Sequence, residues 1–168
     1  NLDLAPEAHY LDTSSSGDVL GVYLQDEVAL RPDLVLHAGL RWGKHSDSKG
    51  SLHPRLGLVY LVGPATALKL LYGTAYRPPN AYERDYSDGE AQVANPSLRG
   101  ESVDAWEAVV DHRYDHELAV RASLYRWTTQ HLIALGMDPV SGLSQYQSGG
   151  SIRSQGLELS ADKVILAR

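Results

Sequence analysis

Between Val19 and Leu30 the chain alternates. Leu20, Val22, Leu24, Val28 and Leu30 share one parity, interrupted only by Asp26. Val19, Gly21, Tyr23, Gln25, Glu27 and Ala29 share the other. A period of two is that of a strand whose faces meet different surroundings. The pattern returns six times. Leu34–Trp42 sets Leu34, Leu36, Ala38, Leu40 and Trp42 against Val35, His37, Gly39 and Arg41. Arg55–Val62 sets Leu56, Leu58, Tyr60 and Val62 against Arg55, Gly57, Val59 and Leu61. Ala67–Arg77 sets Leu68, Leu70, Tyr72, Thr74 and Tyr76 against Lys69, Leu71, Gly73 and Arg77. Ser102–Asp111, Leu118–Trp127 and Ile152–Ala161 continue it, with Trp106, Ala108, Val110, Leu118, Val120, Ala122, Leu124, Leu157 and Leu159 on the apolar side.

The connections alternate too. Arg31–Asp33, Gly63–Thr66 and His112–Glu117 are short, whereas Gly43–Pro54, Pro78–Glu101 and Thr128–Ser151 are long. In an up-and-down sheet every short turn then falls at one end and every long loop at the other. Strands of about ten residues, apolar on one side, with loops sided in this way, predict an all-β fold: a segment of an up-and-down antiparallel transmembrane β-barrel with about seven strands. A soluble β-sandwich using its long loops to contact glycan or protein is the alternative, and its strands also alternate. A complete eight-stranded barrel also fits the length.

Composition narrows the function. The 168 residues include ten Tyr and three Trp but no Phe, so every aromatic ring has a polar tip suited to a boundary between water and an apolar phase. A net charge of −6 and the lack of a basic tract argue against nucleic acid as a partner. The absence of Cys removes disulfides, zinc thiolates and cysteine nucleophiles. No run approaches the length of a membrane-spanning helix. The opening NLDLAPEAHY lacks a basic start and an apolar stretch, the expectation for a mature protein or a piece of a longer one.

Several segments are familiar in combination. VYLQDEVAL followed by LVLHAGLRW resembles the barrel of TonB-dependent outer-membrane receptors, where a Y-x-Q-D-E-W strand turns into one ending A-G-x-R-Y. HPRLGLVY, LKLLYGTAYRPPNAYE, NPSLRGESVDAWEAVVD, LAVRASLYRW and SQGLELS resemble later strands of the same barrel, in order, across residues 19–160. The departures are Val28 for a frequent Trp, Tyr76 for Phe, Pro79 for Ala and Gly100 for Pro. The chain lacks the plug domain, the TonB-contacting box and the C-terminal aromatic residue of that family, so residues 1–168 are expected to be a partial barrel domain. The resemblance implies a bacterial outer-membrane location and energised uptake of a ferric siderophore or similar metal chelate. It implies as partners outer-membrane lipid, the plug and TonB through the full-length receptor, and the small chelate itself.

Candidate residues divide by place. Glu27, Arg41, Lys69, Glu107 and Arg121 lie on the polar parity and would face the barrel lumen, where their mixed signs suit cross-strand pairing. The loop after Tyr76 holds Arg77, Asn80, Tyr82, Arg84 and Tyr86, and such arginines and tyrosines suit an anionic, aromatic chelate. His45, Asp47 and His53 share one long stretch but match no metal-site spacing, and His112 and His116 flank a turn without the H-E-x-x-H pattern. No metal, cofactor or catalytic set is expected. Ser14–Gly17 lacks the strand-turn-helix context of a nucleophile elbow, and Ser148–Ser151 lacks the lysine of a phosphate loop.

Overall fold

The computed structural model describes residues 18–45 and 50–165. Ser14–Gly17 and Asp47 lie outside them. Strands β1 (Val19–Arg31), β2 (Leu34–His45), β3 (Ser51–Leu61), β4 (Thr66–Arg77), β5 (Glu101–Arg113) and β6 (Leu118–Gln130) follow one another, with a short helix α1 (Ala81–Asp85) between β4 and β5. Next come β7 (Ile133–Met137), β8 (Ser144–Ser148) and β9 (Ser151–Lys163). The main sheet runs β1-β2-β3-β4-β5-β6-β9, and each neighbouring pair is antiparallel. Strands β7 and β8 form a separate hairpin inside the connection from β6 to β9.

Register turns the alternation into surfaces. Val28, Leu36, Leu58, Leu70, Ala108, Leu124 and Leu157 form one unbroken row across the seven strands. Directly paired antiparallel residues share a face, so this whole side is apolar. Leu24, Leu124 and Leu159 are 75%, 60% and 71% exposed. Leu98 and Val109 are the buried hydrophobics among the described residues, and no large side chain there is fully buried. A sandwich would cover the apolar face with a second sheet, and no described element does so. This face also carries Trp42 toward the loop end of β2, and Tyr72 and Trp106 at mid-strand; the last two are direct partners, with ring centroids 4.4 Å apart. Tyr72 also donates from its hydroxyl to Asp104 at 3.3 Å, which keeps its polar tip satisfied.

The opposite face is polar and places Glu27, Arg41, Lys69, Glu107 and Arg121 together, as their parity predicts. Asp111 joins three strands there, bonded to Lys69 Nζ at 2.6 Å and to Arg121 Nε at 2.6 Å. His37 Nδ1 lies 3.3 Å from Glu27 across the β1–β2 ladder. Gly156 in β9 has no room for a Cβ, because the ring of Tyr125 lies over it from β6. Asp26 sits on the apolar face opposite Ala38, where its carboxylate accepts the Glu27 N–H at 2.9 Å.

The three short turns close as their residues dictate. Asp33 takes Arg31 in an ion pair at 3.1 Å, Gly63 adopts φ 82°, and Asp115 accepts the N–H groups of Glu117 and Leu118 at 2.8 and 2.7 Å. Several strands run past their expected ends: β2 reaches His45, which shortens the expected Gly43–Pro54 loop, β6 reaches Gln130 and β9 spans Ser151–Lys163, and two further differences move side chains. Strand β3 begins at Ser51 rather than Arg55 and passes through Pro54; its ladder with β4 ends at Arg55 opposite Gly73, so the proline lies beyond the last β4 pair. Strand β5 extends to Arg113, which puts His112 in a strand rather than in the turn; its Nδ1 pairs with Thr66 Oγ1 at 2.8 Å.

Adjacent residues of β4 test the two faces. In the full-length protein assembled in lipid, Leu70→Arg is expected to cost about 2–4 kcal/mol, the penalty for a guanidinium at mid-bilayer depth. Leu71→Arg, on the polar face, should cost much less. Urea unfolding in lipid vesicles measures both; equal losses would contradict the assignment of faces.

Candidate functional site

The long connections carry the site, and it starts at the end of β4. Pro78 and Pro79 cannot donate to a ladder, so the strand stops at Arg77. Asn80 then caps α1. Its side-chain oxygen accepts the Glu83 N–H at 2.8 Å, while Glu83 Oε2 accepts the Asn80 N–H at 2.9 Å. This reciprocal box is the N-x-x-E variant of a common helix start. Arg77 locks the segment from below: Nη1 lies 3.0 Å from Glu83 Oε2, and Nε lies 3.0 Å from Glu101 Oε2. The other oxygen of Glu101 accepts the Ile133 N–H at 2.9 Å. One guanidinium and one carboxylate thereby tie together the end of β4, helix α1, the start of β5 and the start of β7.

Arg84 and Asp85 form a two-pronged pair, Nε to Oδ1 and Nη2 to Oδ2, each at 2.9 Å. Tyr82 stacks on Tyr86 with centroids 4.6 Å apart, and Tyr146 of β8 meets Tyr82 edge-on at 6.1 Å. All five residues expected on this loop are therefore close together. Asn80 has a structural role, and the charges of Arg77 and Arg84 are already matched by internal carboxylates. The tyrosines remain as a partly open aromatic surface, with Tyr82 46% exposed. The sequence reading missed Tyr146, Glu83 and Glu101. Of these, only Glu83 left a readable sign, its capping-box spacing from Asn80.

The two longest connections are one folded layer. Val93 N–H donates to Ser144 O at 2.9 Å, and Ser144 N–H donates to Ala91 O at 2.9 Å. Asn95 Nδ2 donates to Tyr146 O at 2.8 Å, Gln145 Nε2 to Ala94 O at 3.0 Å, and Arg99 N–H to Ser148 Oγ at 3.1 Å. Leu98 and Gln92 are buried in this layer. Asp88 organises its outer bend: Oδ1 accepts three backbone N–H groups, from Glu90, Ala91 and Gln92, at 3.0, 2.8 and 2.8 Å. Those donors favour the ionised form and hold the carboxyl at about 2. Asp138, in the β7–β8 turn, is lowered in the same way by the hydroxyl and N–H of Ser141.

The histidines gather no metal set. His45 and His53 stand in β2 and β3, and His53 Nε2 shares a hydrogen bond with Ser51 Oγ at 2.8 Å. Among the described residues, no group of three His, Cys, Asp or Glu side chains is arranged to hold a metal ion.

The Asp88 bend has a definite pH dependence. A folded-state pKa below the unfolded value makes the contribution full above the unfolded value, near 4, and lost as pH falls toward about 2. Hydrogen-exchange protection of the Ala91 and Gln92 amides, corrected for intrinsic rates, is expected to fall across that window. Asp88→Ala should lower protection above about pH 4, converge with the unsubstituted protein toward pH 2 and so abolish the dependence; an unchanged profile would remove Asp88 from the account.

Comparison with known proteins agrees with this architecture. The family model described as TonB dependent receptor-like, beta-barrel matches residues 3–164. The ferric enterobactin receptor of Pseudomonas aeruginosa is 28% identical over 151 residues, covering 82% of this chain and 20% of that protein. The crystal structure of the siderophore receptor PirA from the same organism superposes with a TM-score of 0.76 at 23% identity, covering 86% of this chain and 28% of that one. The FrpB iron transporter of Neisseria meningitidis superposes with a TM-score of 0.72 at 19% identity, covering 89% of this chain and 24% of that one. The chain thus spans about a fifth of the length of the curated receptor it matches. One apolar face across seven strands, one folded loop layer and a family match along nearly the whole chain lead to one conclusion: this chain belongs to the TonB-dependent receptor family, within its β-barrel.

Proposed function

We propose that this chain is a stretch of barrel wall, with its outer loop layer, from a bacterial outer-membrane receptor. The receptor captures a ferric siderophore or a similar scarce-metal chelate and imports it with energy relayed through TonB. The observation that carries this reading is the one-layer sheet whose apolar face crosses all seven strands without a covering element. Lipid is the surrounding that makes such a face stable. The similarity to proteins named as ferric enterobactin and siderophore receptors supplies the class of cargo.

In this reading the edges at β1 and β9 pair with further strands of the full-length protein, since a barrel in lipid leaves no edge open. Glu27, Arg41, Lys69, Glu107 and Arg121 line the lumen, where the plug of the full-length receptor sits. The loop layer meets the chelate first. Tyr82 and Tyr86, backed by Tyr146, present ring faces and phenol groups to an aromatic chelate. Arg77 and Arg84 offer guanidinium donors at its base, which the chelate's oxygens draw on in competition with Glu83, Glu101 and Asp85, and Asn80 caps the helix that carries Tyr82 and Arg84.

In the full-length receptor, Arg77→Ala with Arg84→Ala is expected to weaken binding of a ferric tris-catecholate. The loss should be about 1.5–3 kcal/mol for each charge-assisted hydrogen bond removed. Barrel assembly, read by heat-modifiable migration in gels, should stay normal. Unchanged affinity in an assembled receptor would leave those two arginines with the structural role alone.

A further inference from the structure

The apolar face changes character toward the loops on two neighbouring strands. On β6, Leu118, Val120, Ala122 and Leu124 of that face give way to Arg126, Thr128 and Gln130. On β9, read from the loop end, Ser151, Arg153 and Gln155 give way to Leu157, Leu159 and Ala161. Register aligns the two changes: Leu124 pairs with Leu157, and Arg126 pairs with Gln155 in the next row out. A sharp border shared by two strands marks the level at which hydrocarbon ends and headgroups begin. Two cations stand just outside it. Arg126 lies in the first polar row, and Arg153, opposite Thr128, lies in the second.

Neither cation is matched. Both are exposed, and neither has a carboxylate within ion-pair distance among the described residues. The acid on this face at their level is Asp104, opposite Thr128, and it already accepts from the Tyr72 hydroxyl at 3.3 Å. On the hydrocarbon side of the cations the face is hollow. The row through Leu70, Ala108, Leu124 and Leu157 has one short member. Ala108 lies in a cavity of about 480 Å³ whose lining includes Leu70, Trp106, Leu124 and Leu157, with Arg126 and Gln155 on its loop side. An acyl chain suits such apolar walls. The stem of an arginine can lie along them while its guanidinium fork reaches the polar layer, where it matches phosphate oxygens. Thr128, Gln130, Ser151 and Gln155 share the face with the two cations and supply neutral hydroxyl and amide groups. Charge alone suits any phosphate-bearing lipid; the neutral groups favour one that also carries sugar hydroxyls.

We infer that Arg126 and Arg153, with the groove at Ala108, form a docking site for a phosphorylated glycolipid of the outer leaflet. The guanidiniums take its phosphate, the neutral side chains meet its sugar, and the groove takes an acyl chain. This inference rests on the barrel-wall reading above, which turns the apolar face toward lipid and the loop end outward. The site lies on the opposite face from the lumen, and its partner is not cargo.

The test uses the full-length receptor in neutral detergent, with bound lipid counted by native mass spectrometry as lipid is titrated. The probes are diphosphorylated lipid A, the same lipid stripped of both phosphates, and dioleoyl phosphatidylglycerol. Arg126→Gln with Arg153→Gln is expected to lower affinity for the diphosphorylated lipid at least about tenfold, the loss expected for one charge-assisted hydrogen bond. Binding of the phosphate-free lipid should not change. Arg126→Lys with Arg153→Lys should recover part of the loss. Ala108→Leu fills the groove, keeps both cations and should weaken both forms of lipid A. An assembled Gln variant that binds the diphosphorylated lipid as the unsubstituted receptor does overturns the site. Phosphatidylglycerol bound as tightly as diphosphorylated lipid A overturns the glycolipid as occupant. A lowered unfolding temperature of the lipid-free Gln variant assigns the arginines to a carboxylate on the strand beyond β9, and receptor dimers lost in Ala108→Leu assign the groove to a second copy; either overturns the proposal. Leu70→Arg separates the site from the reading beneath it. If that change costs no more than Leu71→Arg in lipid, the barrel-wall reading fails; if it costs more while lipid affinity ignores Arg126 and Arg153, the site alone fails.

Discussion

A strand that crosses hydrocarbon has no water to turn to, so each of its backbone N–H and C=O groups has to meet a neighbouring strand. That requirement accounts for most of this molecule. It explains why seven strands pair in sequence order and why five of the six ladders run nearly the length of their strands, as from Thr66 opposite His112 to Arg77 opposite Glu101. With the backbone occupied in the plane of the sheet, the side chains are free to satisfy a different solvent on each face. The row through Leu36, Leu58, Leu70 and Leu124 does so for lipid, and Lys69, Asp111 and Arg121 do so opposite. The sheet consequently has no conventional core.

Side-chain packing between separate connections is found above the ends of the strands. There the connections from β4 to β5 and from β6 to β9 interlock through Asn95, Gln145 and the Glu101 carboxylate. The bonds join the loops into one layer, with Tyr82 of α1 packed edge-on against Tyr146 of β8 and Arg77 tying Glu83 of α1 to Glu101 at the start of β5. The network at Arg77 also shows why a charged residue at a loop base is an ambiguous sign of function. The same guanidinium that suits an anionic chelate here satisfies Glu83 and Glu101.

The sheet was legible because its two faces make opposite demands on neighbouring residues. Leu68, Leu70 and Tyr72 against Lys69 and Gly73 fix both the strand and its orientation. The loop layer was less legible. Ser144–Ser148 reads SQYQS, polar on both parities, because β8 pairs within a hairpin above the membrane and no apolar phase sorts its residues. Ile133–Met137 does place Ile133, Leu135 and Met137 on one parity, but five residues are too few to stand out. Helix α1 announces itself only through the spacing of Asn80 and Glu83. The pairing of Arg41 with His53 depends on register across a long connection, which alternation within single strands does not specify.

The central claim is that one layer faces lipid on one side and the lumen on the other, and β4 offers the most direct measurement. This chain contains no cysteine, so single Cys substitutions along residues 68–73 can carry a spin label without competition from its own residues. In the full-length protein reconstituted into vesicles, collision with oxygen dissolved in the lipid reports contact with hydrocarbon. The account predicts high oxygen accessibility at positions 68, 70 and 72, low accessibility at 69, 71 and 73, and the reverse order for a water-soluble relaxation agent. Accessibility that fails to alternate along the strand, or that peaks at Lys69 and Leu71, would contradict it.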